Sequence, residues 1–241
     1  MNSPLSPAYV LHSRPYRDTS ALVDLLSLHE GLQRVVWRGA RGQRKGLTPQ
    51  PFMPLLVATG GRGELKTVSQ AEVAGAFSVL QGQGLFNGLY LNELLIRLLS
   101  PGDPQPILFA AYQQALERLA AAGPVEPILR EFEWQLLDLL GYGFSLTVDA
   151  YGDPIEPAGR YVWQAEQGLI RIVGPELAAP GMTGAALLAM AARDWTLPQT
   201  LKAAKQLMRQ SLAVHLGDRP LVSRQLFSQQ SHPSRKETDS D

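Results

Sequence analysis

The sequence predicts an α+β chain: a small N-terminal β-barrel, then a mainly α-helical domain that carries a small irregular β insert. Three observations point there. Five short apolar runs, each closed by Gly, Pro or Asp, fill residues 8–73. From about Gly84 the leucines fall at helical spacing instead. Between 141 and 182 glycine and proline recur every few residues, interrupting the helical pattern before it resumes.

The first run, Tyr9 to Arg14, is broken by Pro15 and the Asp18-Thr19-Ser20 cluster. Ala21 to Ser27 sets Ala21, Val23 and Leu25 against Leu22, Asp24 and Leu26, the period-two pattern of a strand. His29-Glu30-Gly31 reads as a hairpin turn. Leu32 to Arg38, rich in β-branched and aromatic residues, is the third strand. Phe52 to Thr59 is the fourth, with Pro51 and Pro54 starting it at an edge. Gly60-Gly61-Arg62-Gly63 turns the chain into the fifth, Glu64 to Val73. Five short strands in about 80 residues, with glycine turns and no helix between them, suit a small closed barrel. The five-stranded oligonucleotide-binding (OB) fold is the leading architecture for residues 1–80, and an SH3-like barrel fits the same pattern.

Leu85, Leu89, Leu91, Leu94, Leu95, Leu98 and Leu99 line a first helix, stopped by Ser100-Pro101-Gly102. Ile107 to Ala122 forms a second, ending at Gly123-Pro124. Pro127 sits in the first turn of a third, striped by Leu129, Phe132, Leu136 and Leu140 and ended by Gly141. The short loops predict that these three pack as an antiparallel bundle. In the insert, about 145–175, Tyr161 to Trp163 and Leu169 to Val173 pair as a hairpin. Helices resume at Thr183. Thr196 opens a capping box with Gln199, and the helix from Leu197 to about Leu216 buries Leu201, Ala204, Met208 and Leu212. The helical domain is expected over 81–228. The polar residues 229–241 are expected to be a disordered tail.

The 241 residues are enough for one large or two small domains. With no cysteine, disulfides and thiolate metal sites are excluded. No apolar run approaches about 18 residues and Met1 to Pro7 lacks a signal peptide's regions, so no membrane contact and a cytoplasmic location are expected. The net charge is zero, yet it is unevenly spread. Residues 1–80 hold nine basic against five acidic side chains, 81–195 six against thirteen, and 196–241 seven against four. Two basic ends flank an acidic middle, and a basic face can hold a polyanion on a neutral protein.

Val35 to Gly46 concentrates that charge. It leaves an apolar run, passes Trp37 and spaces Arg38, Arg41, Arg44 and Lys45 with glycines and no acid. Cations on a curving backbone beside an aromatic suit a phosphate chain with stacked bases. Arg14, Arg34, Arg62 and Lys66 extend the track along the barrel. Lys202, Lys205 and Arg209 make a second stripe on the last helix, followed by Arg219 and Arg224. A solvated loop and a solvated helix face are the plain alternatives. Other chemistry is missing from the pattern. No phosphate-binding glycine loop precedes a helix, the four histidines lack metal-ligand spacing, and no nucleophile elbow occurs. Glu126, Glu131, Glu133 and Asp138 fit a solvated helix face. Nothing argues for catalysis or a cofactor.

Several stretches together resemble one family. Val10-Leu-His-Ser-Arg-Pro-Tyr, Gly39-Ala-Arg, Pro51-Phe-x-Pro-Leu and Gly60-Gly-Arg-Gly-Glu-Leu-Lys resemble the N-terminal barrel of RecO, the bacterial recombination mediator. Gly88-Leu-Tyr-Leu-Asn-Glu-Leu-Leu, Arg130-Glu-Phe-Glu with Leu140-Gly-Tyr-Gly, and His215-Leu-Gly-Asp-Arg-Pro-Leu-Val-Ser-Arg-Gln-Leu-Phe resemble its helical part and C-terminal signature. The resemblance runs from about residue 8 to 228. It implies an OB barrel, an all-helical domain and DNA repair by the RecF pathway. It further implies binding of single- and double-stranded DNA, strand annealing, and action with RecR to help RecA replace single-strand-binding protein (SSB). A free monomer associated with the nucleoid is expected. Many members carry a four-cysteine zinc site after the Leu-Gly-Tyr motif; here 145–169 has no cysteine, so the hairpin must hold by packing. The family also implies that the helical domain docks SSB's acidic, phenylalanine-ended tail. Arg130, beside Leu129 and Phe132 near a helix start, is the expected seat, with Arg118 as the other candidate cation; the plain alternative is that Arg130 only pairs with Glu126, Glu131 or Glu133. A rival class is a protein-interaction adaptor that does not touch DNA, and a small-molecule enzyme is the remotest.

Overall fold

The computed structural model describes residues 4–41, 47–61, 63, 65–75, 79–174 and 181–223. The tail expected over 229–241 lies outside them. The chain divides into two compact units, Met1–Gly123 with Asp218–Asp241 and Pro124–Gly217.

In the first unit, β1 (Ser6–Tyr16), β2 (Ser20–Ser27), β3 (Gly31–Trp37), β4 (Pro54–Gly60) and β5 (Lys66–Val73) close a barrel in the order β1-β2-β3-β5-β4. β3 and β5 run parallel and the other neighbours antiparallel. That order with its single parallel pair marks an OB barrel and disposes of the SH3-like alternative. Val10, Val23, Leu25, Val35 and Leu55 fill the interior with no exposed surface. The predicted turn at Gly31 holds for a steric reason. Its φ is 66°, and a Cβ there would lie 2.1 Å from the Asp103 carbonyl oxygen.

Helices α1 (Gly82–Leu98) and α2 (Pro106–Ala120) complete this unit. They are fastened to the barrel by a buried polar chain. Asn92 Nδ2 donates to the Leu11 carbonyl at 2.7 Å, and the Tyr112 hydroxyl donates to Asn92 Oδ1 at 2.6 Å. Tyr9, on the outside of β1, packs on Phe109 and edge-on to Tyr112. Gly88 is needed where α1 meets Leu80 and Phe52: a Cβ would approach their side chains to 2.6 and 2.8 Å. The Glu93 carboxylate accepts from the backbone N–H groups of Val222 and Ser223 and from the Ser223 hydroxyl, which ties the C-terminal return to α1.

The second unit holds α3 (Val125–Leu139), a sheet of β6 (Arg160–Gln164), β7 (Gly168–Arg171) and β8 (Met182–Thr183) in the order β7-β6-β8, then α4 (Gly184–Ala191) and α5 (Pro198–Leu216). The expected grouping of three consecutive helices is therefore not the one found. α1 and α2 present Asn92 and Tyr112 to the barrel, whereas α3 packs on α5. Leu129, Phe132 and Leu136 are buried as expected; Leu140 is half-buried. The hairpin of β6 and β7 holds by packing, with Tyr161 and Leu169 each 1% exposed and the Tyr161 hydroxyl accepting from the Glu156 N–H. Thr183 caps α4 by accepting from the Ala186 N–H. The capping box expected at Thr196 does not form. Leu197 is the residue before the helix, with no side-chain cap, and the Thr196 hydroxyl donates instead to Asp194 at 2.6 Å. Asp194 outcompetes Gln199 because it lies two residues away in the turn. Among the described residues no helix is long and apolar enough to cross a membrane.

Candidate nucleic-acid interface

The outer surface of β1, β2 and β3 forms a grid. Register sets His12 beside Asp24 and Asp24 beside Arg34 on one rung, and Arg14, Leu22 and Val36 on the next. Tyr16 and Ser20 continue it on the following rung, and Arg38 follows Val36 on the same face by the two-residue period. A β-bulge at Leu11 makes this face possible, since the register of β1 on β2 shifts between Val10 and His12. Without the extra residue, Arg14 would fall on the interior parity shared by Val10, Val23 and Leu25.

Loops add to the same end of the barrel. The Arg41 N–H donates to the Thr19 carbonyl at 3.0 Å, and the Arg41 guanidinium reaches the Arg17 carbonyl at 3.4 Å. The β1–β2 turn is thereby joined to the start of the β3–β4 loop. Arg17 adopts φ 53° in that turn, and its guanidinium stands 5.3 Å from the centre of the Tyr16 ring. Arg14, Arg17, Arg34, Arg38 and Arg41 are all exposed, with Asp18 exposed in the turn among them.

Asp24 is the one buried acid on this face, its side chain 10% exposed. It pairs with Arg34 at 2.7 Å and lies 3.7 Å from His12. Burial opposes its ionisation, but the hydrogen bonds and charges of His12 and Arg34 prevail and hold its carboxyl below the usual range. Arg34 is thus partly neutralised, whereas Arg14, Arg17, Arg38 and Arg41 have no ion pair among the described residues.

The other expected residues are placed differently. Lys66 is drawn away from the arginines: its ammonium pairs at 3.1 Å with Glu30, in the turn at the opposite end of β3 from Arg38. Gln33 and Thr59 donate to the same carboxylate. Arg44, Lys45, Arg62 and Arg224 lie outside the described residues. Trp37 is no stacking platform, because it faces the barrel core at 7% exposure. Tyr16 is the aromatic that the face offers. Lys202, Lys205 and Arg209 are exposed along α5, with Lys205 3.7 Å from Glu126. Arg219 is exposed in the other unit.

Around Arg130 the structure corrects one expectation. Glu133 does not belong to a solvated face; it is fully buried and pairs with Arg130 at 2.8 Å. Glu131 is half-buried and accepts from the Trp195 indole N–H, while Glu126 and Asp138 are exposed. The Arg130 side chain is only 11% exposed, and Leu129 and Phe132 are buried. Arg118 is exposed on α2.

Two family models cover nearly the whole chain: "Recombination protein O N terminal" matches residues 1–77 and "Recombination protein O C terminal" matches 81–225. The chain belongs to the RecO family. Its similarity to individual members is high throughout. It is 55% identical over 228 residues to the DNA repair protein RecO of Pseudomonas paraeruginosa, covering 94% of this chain and 96% of that one. It is 54% identical over 222 residues to that of Stutzerimonas stutzeri, covering 92% of each. With Pseudomonas putida RecO the identity is 53%, over 92% of this chain and 96% of that one. Membership in the RecO family carries the coarse role, DNA repair and recombination. Against it, sequence reading had missed three parts of the basic face. Arg17 and Tyr16 carry no expectation in the sequence, and Asp24 reads only as one polar position in an alternating strand. The only available signal for Arg17 was its place between a proline-broken strand and a polar cluster.

Proposed function

We propose that the chain is a recombination mediator of the RecF pathway that binds single- and double-stranded DNA on the outer face of β1–β3. It anneals complementary strands and, with RecR, helps RecA load on SSB-coated single strands in the cytoplasm near the nucleoid. The observation that carries this reading is the exposed cluster of Arg14, Arg17, Arg38 and Arg41 around Tyr16 on an OB barrel. Guanidinium groups on a sheet surface neutralise phosphates without reading base edges, so binding is expected to be weakly sequence-selective. A planar ring among them offers a stacking surface to an unpaired base. Arg34 joins by sharing its charge with Asp24. Lys66, Arg44, Lys45 and Arg62 are secondary candidates, and Lys202, Lys205 and Arg209 form the second DNA surface that annealing calls for.

For the SSB tail the proposal keeps the helical residues but changes their weight. Arg130 would have to leave Glu133 to meet a carboxylate, and Leu129 and Phe132 present little open surface. Arg118, exposed on α2, is the cation more readily reached. Fluorescence anisotropy with labelled single- and double-stranded oligonucleotides, followed by an annealing assay, tests the central reading. Sub-micromolar binding that weakens steeply with salt is expected. Absence of binding to both oligonucleotides would favour the adaptor reading instead.

A further inference from the structure

The second unit holds a cleft of about 460 Å³ between the α3–β6 segment, the β6–β7 turn and the end of α5. Its walls are aromatic. Tyr142 and His215 stack with ring centroids 3.7 Å apart and planes 16° from parallel. Phe144 and Trp163 pack against each other at 6.0 Å. Tyr142 remains 48% exposed, so part of its ring is open to a ligand. Among the described residues no arginine or lysine lines the cleft, whereas Asp149 and Glu166 do. The one basic group, His215, is pushed down by burial and is therefore neutral at pH 7.

That combination selects by charge. Among the described lining residues a phosphate chain or an acidic peptide would meet two carboxylates and no arginine or lysine; Arg171 outside the lining acts on Asp149 but is itself paired with Glu156. A guanidinium would meet the reverse: π-faces on which a planar cation stacks and carboxylates that neutralise it. A volume of this size accommodates a few side chains, more than a single ion needs. We propose that this cleft docks an arginine-bearing segment of a partner protein, with the guanidinium against Tyr142 and its charge answered by Glu166 and Asp149. The site is separate in chemistry from the basic barrel face, which would repel such a segment.

Trp163 gives a local readout. Its indole N–H is buried, with no acceptor among the described residues, so its NMR resonance reports on the cleft. The experiment titrates the ¹⁵N-labelled full chain with an octapeptide containing two arginines, with the same peptide carrying glutamates in their place, and with an eight-nucleotide oligothymidine. The arginine peptide is expected to move the Trp163 indole peak in a saturable way, and the other two to leave it in place. Glu166→Lys, in an exposed turn, and Asp149→Asn, which keeps the oxygen that accepts from the Tyr151 and Asp153 N–H groups, should each weaken binding roughly threefold to fivefold. Tyr142→Ala should weaken it by a similar factor through loss of the π-face. A peak moved by the oligonucleotide or the glutamate peptide and not by the arginine peptide would overturn the proposal. So would no shift with any probe, or unchanged affinity in both charge variants.

Discussion

The outer face of the barrel and helix α3 each contain arginine beside carboxylate, and the arginines there have opposite fates. On the barrel, five exposed guanidiniums share one end and face with buried Asp24 and exposed Asp18, so positive charge is left over for a ligand. On α3, Arg130 pairs with Glu133 at 2.8 Å, and both are withdrawn from water. The difference teaches that residue type and exposure in a linear pattern do not assign an arginine's role. What decides is the count of acids that the fold places opposite it. A surplus makes a binding surface; a match makes a fastener.

The largest effect that distinguishes them is on stability. Arg130→Ala breaks the pair with the buried Glu133 carboxylate, and breaking such a pair costs about 3–5 kcal/mol. Arg14→Ala on the exposed face should change stability by no more than about 0.5 kcal/mol. Urea unfolding of both variants measures this. If Arg130→Ala unfolds at the wild-type midpoint, Arg130 is not a fastener and is available to an acidic tail after all. Replacing Arg130 and Glu133 together by Met and Leu should recover most of the loss, because no buried charge is then orphaned.

The next effect is on DNA affinity. Arg14→Ala, Arg38→Ala and Arg41→Ala combined should reduce the slope of log affinity against log salt by about 2 for single strands, at about 0.7 per phosphate contact. An unchanged slope would mean that the surplus charge on the barrel is merely solvated. The fold should be unaffected, since none of the three side chains has an ion pair among the described residues.

How much of this contrast could be read beforehand depends on range. The five strands, the turn at Gly31, the helix end at Gly141 and the β6–β7 hairpin were legible, because each rests on local alternation or on a residue that a turn requires. Arg38 and Arg41 were legible as a local cluster. Arg14 was expected to extend it, but the meeting with Arg17 was not legible, because it needs the register of three strands and the bulge at Leu11, and one apolar residue among others gives no sign of a bulge. Trp37 was misread against the local pattern: the alternation of β3 puts it on the side of Val35, inside. Glu133 was misread because a helix face looks solvated until the element packed on it is known. Arg44, Lys45 and Arg62 stay where the sequence left them, as candidates.

Asp24 sharpens the comparison from within the barrel. Asp24→Asn would free Arg34 and add one net positive charge to the face, so DNA affinity should rise several-fold at low salt. Stability should move the other way. The folded carboxyl titrates below its unfolded value, so its contribution is present above about pH 4 and is lost as the pH falls through the lowered folded value. Wild type should therefore lose more stability than Asp24→Asn between pH 5 and pH 2, roughly speaking, in acid unfolding followed by circular dichroism. Parallel acid profiles for the two proteins would show that the pair with Arg34 is not a net stabiliser.

The smallest effect is expected on α5, and it tests whether surplus charge alone makes a site. Lys202, Lys205 and Arg209 are exposed like the barrel arginines, but they sit on one helix face with no aromatic side chain of α5 between them. Lys205 already shares charge with Glu126 at 3.7 Å, an exposed pair that contributes little. Such a stripe attracts a second strand weakly and without fixed geometry. Binding of one strand, governed by the barrel, should scarcely change when Lys202 and Arg209 are reversed to glutamate. Annealing needs two phosphate chains held close, and its rate should fall a few-fold at low salt, with the difference vanishing as salt rises. A stopped-flow annealing assay at two salt concentrations separates the outcomes. An equal loss of single-strand binding and annealing would make α5 part of the first site. Unchanged annealing would leave these residues as a solvated helix face, and the barrel as the sole DNA surface of the chain.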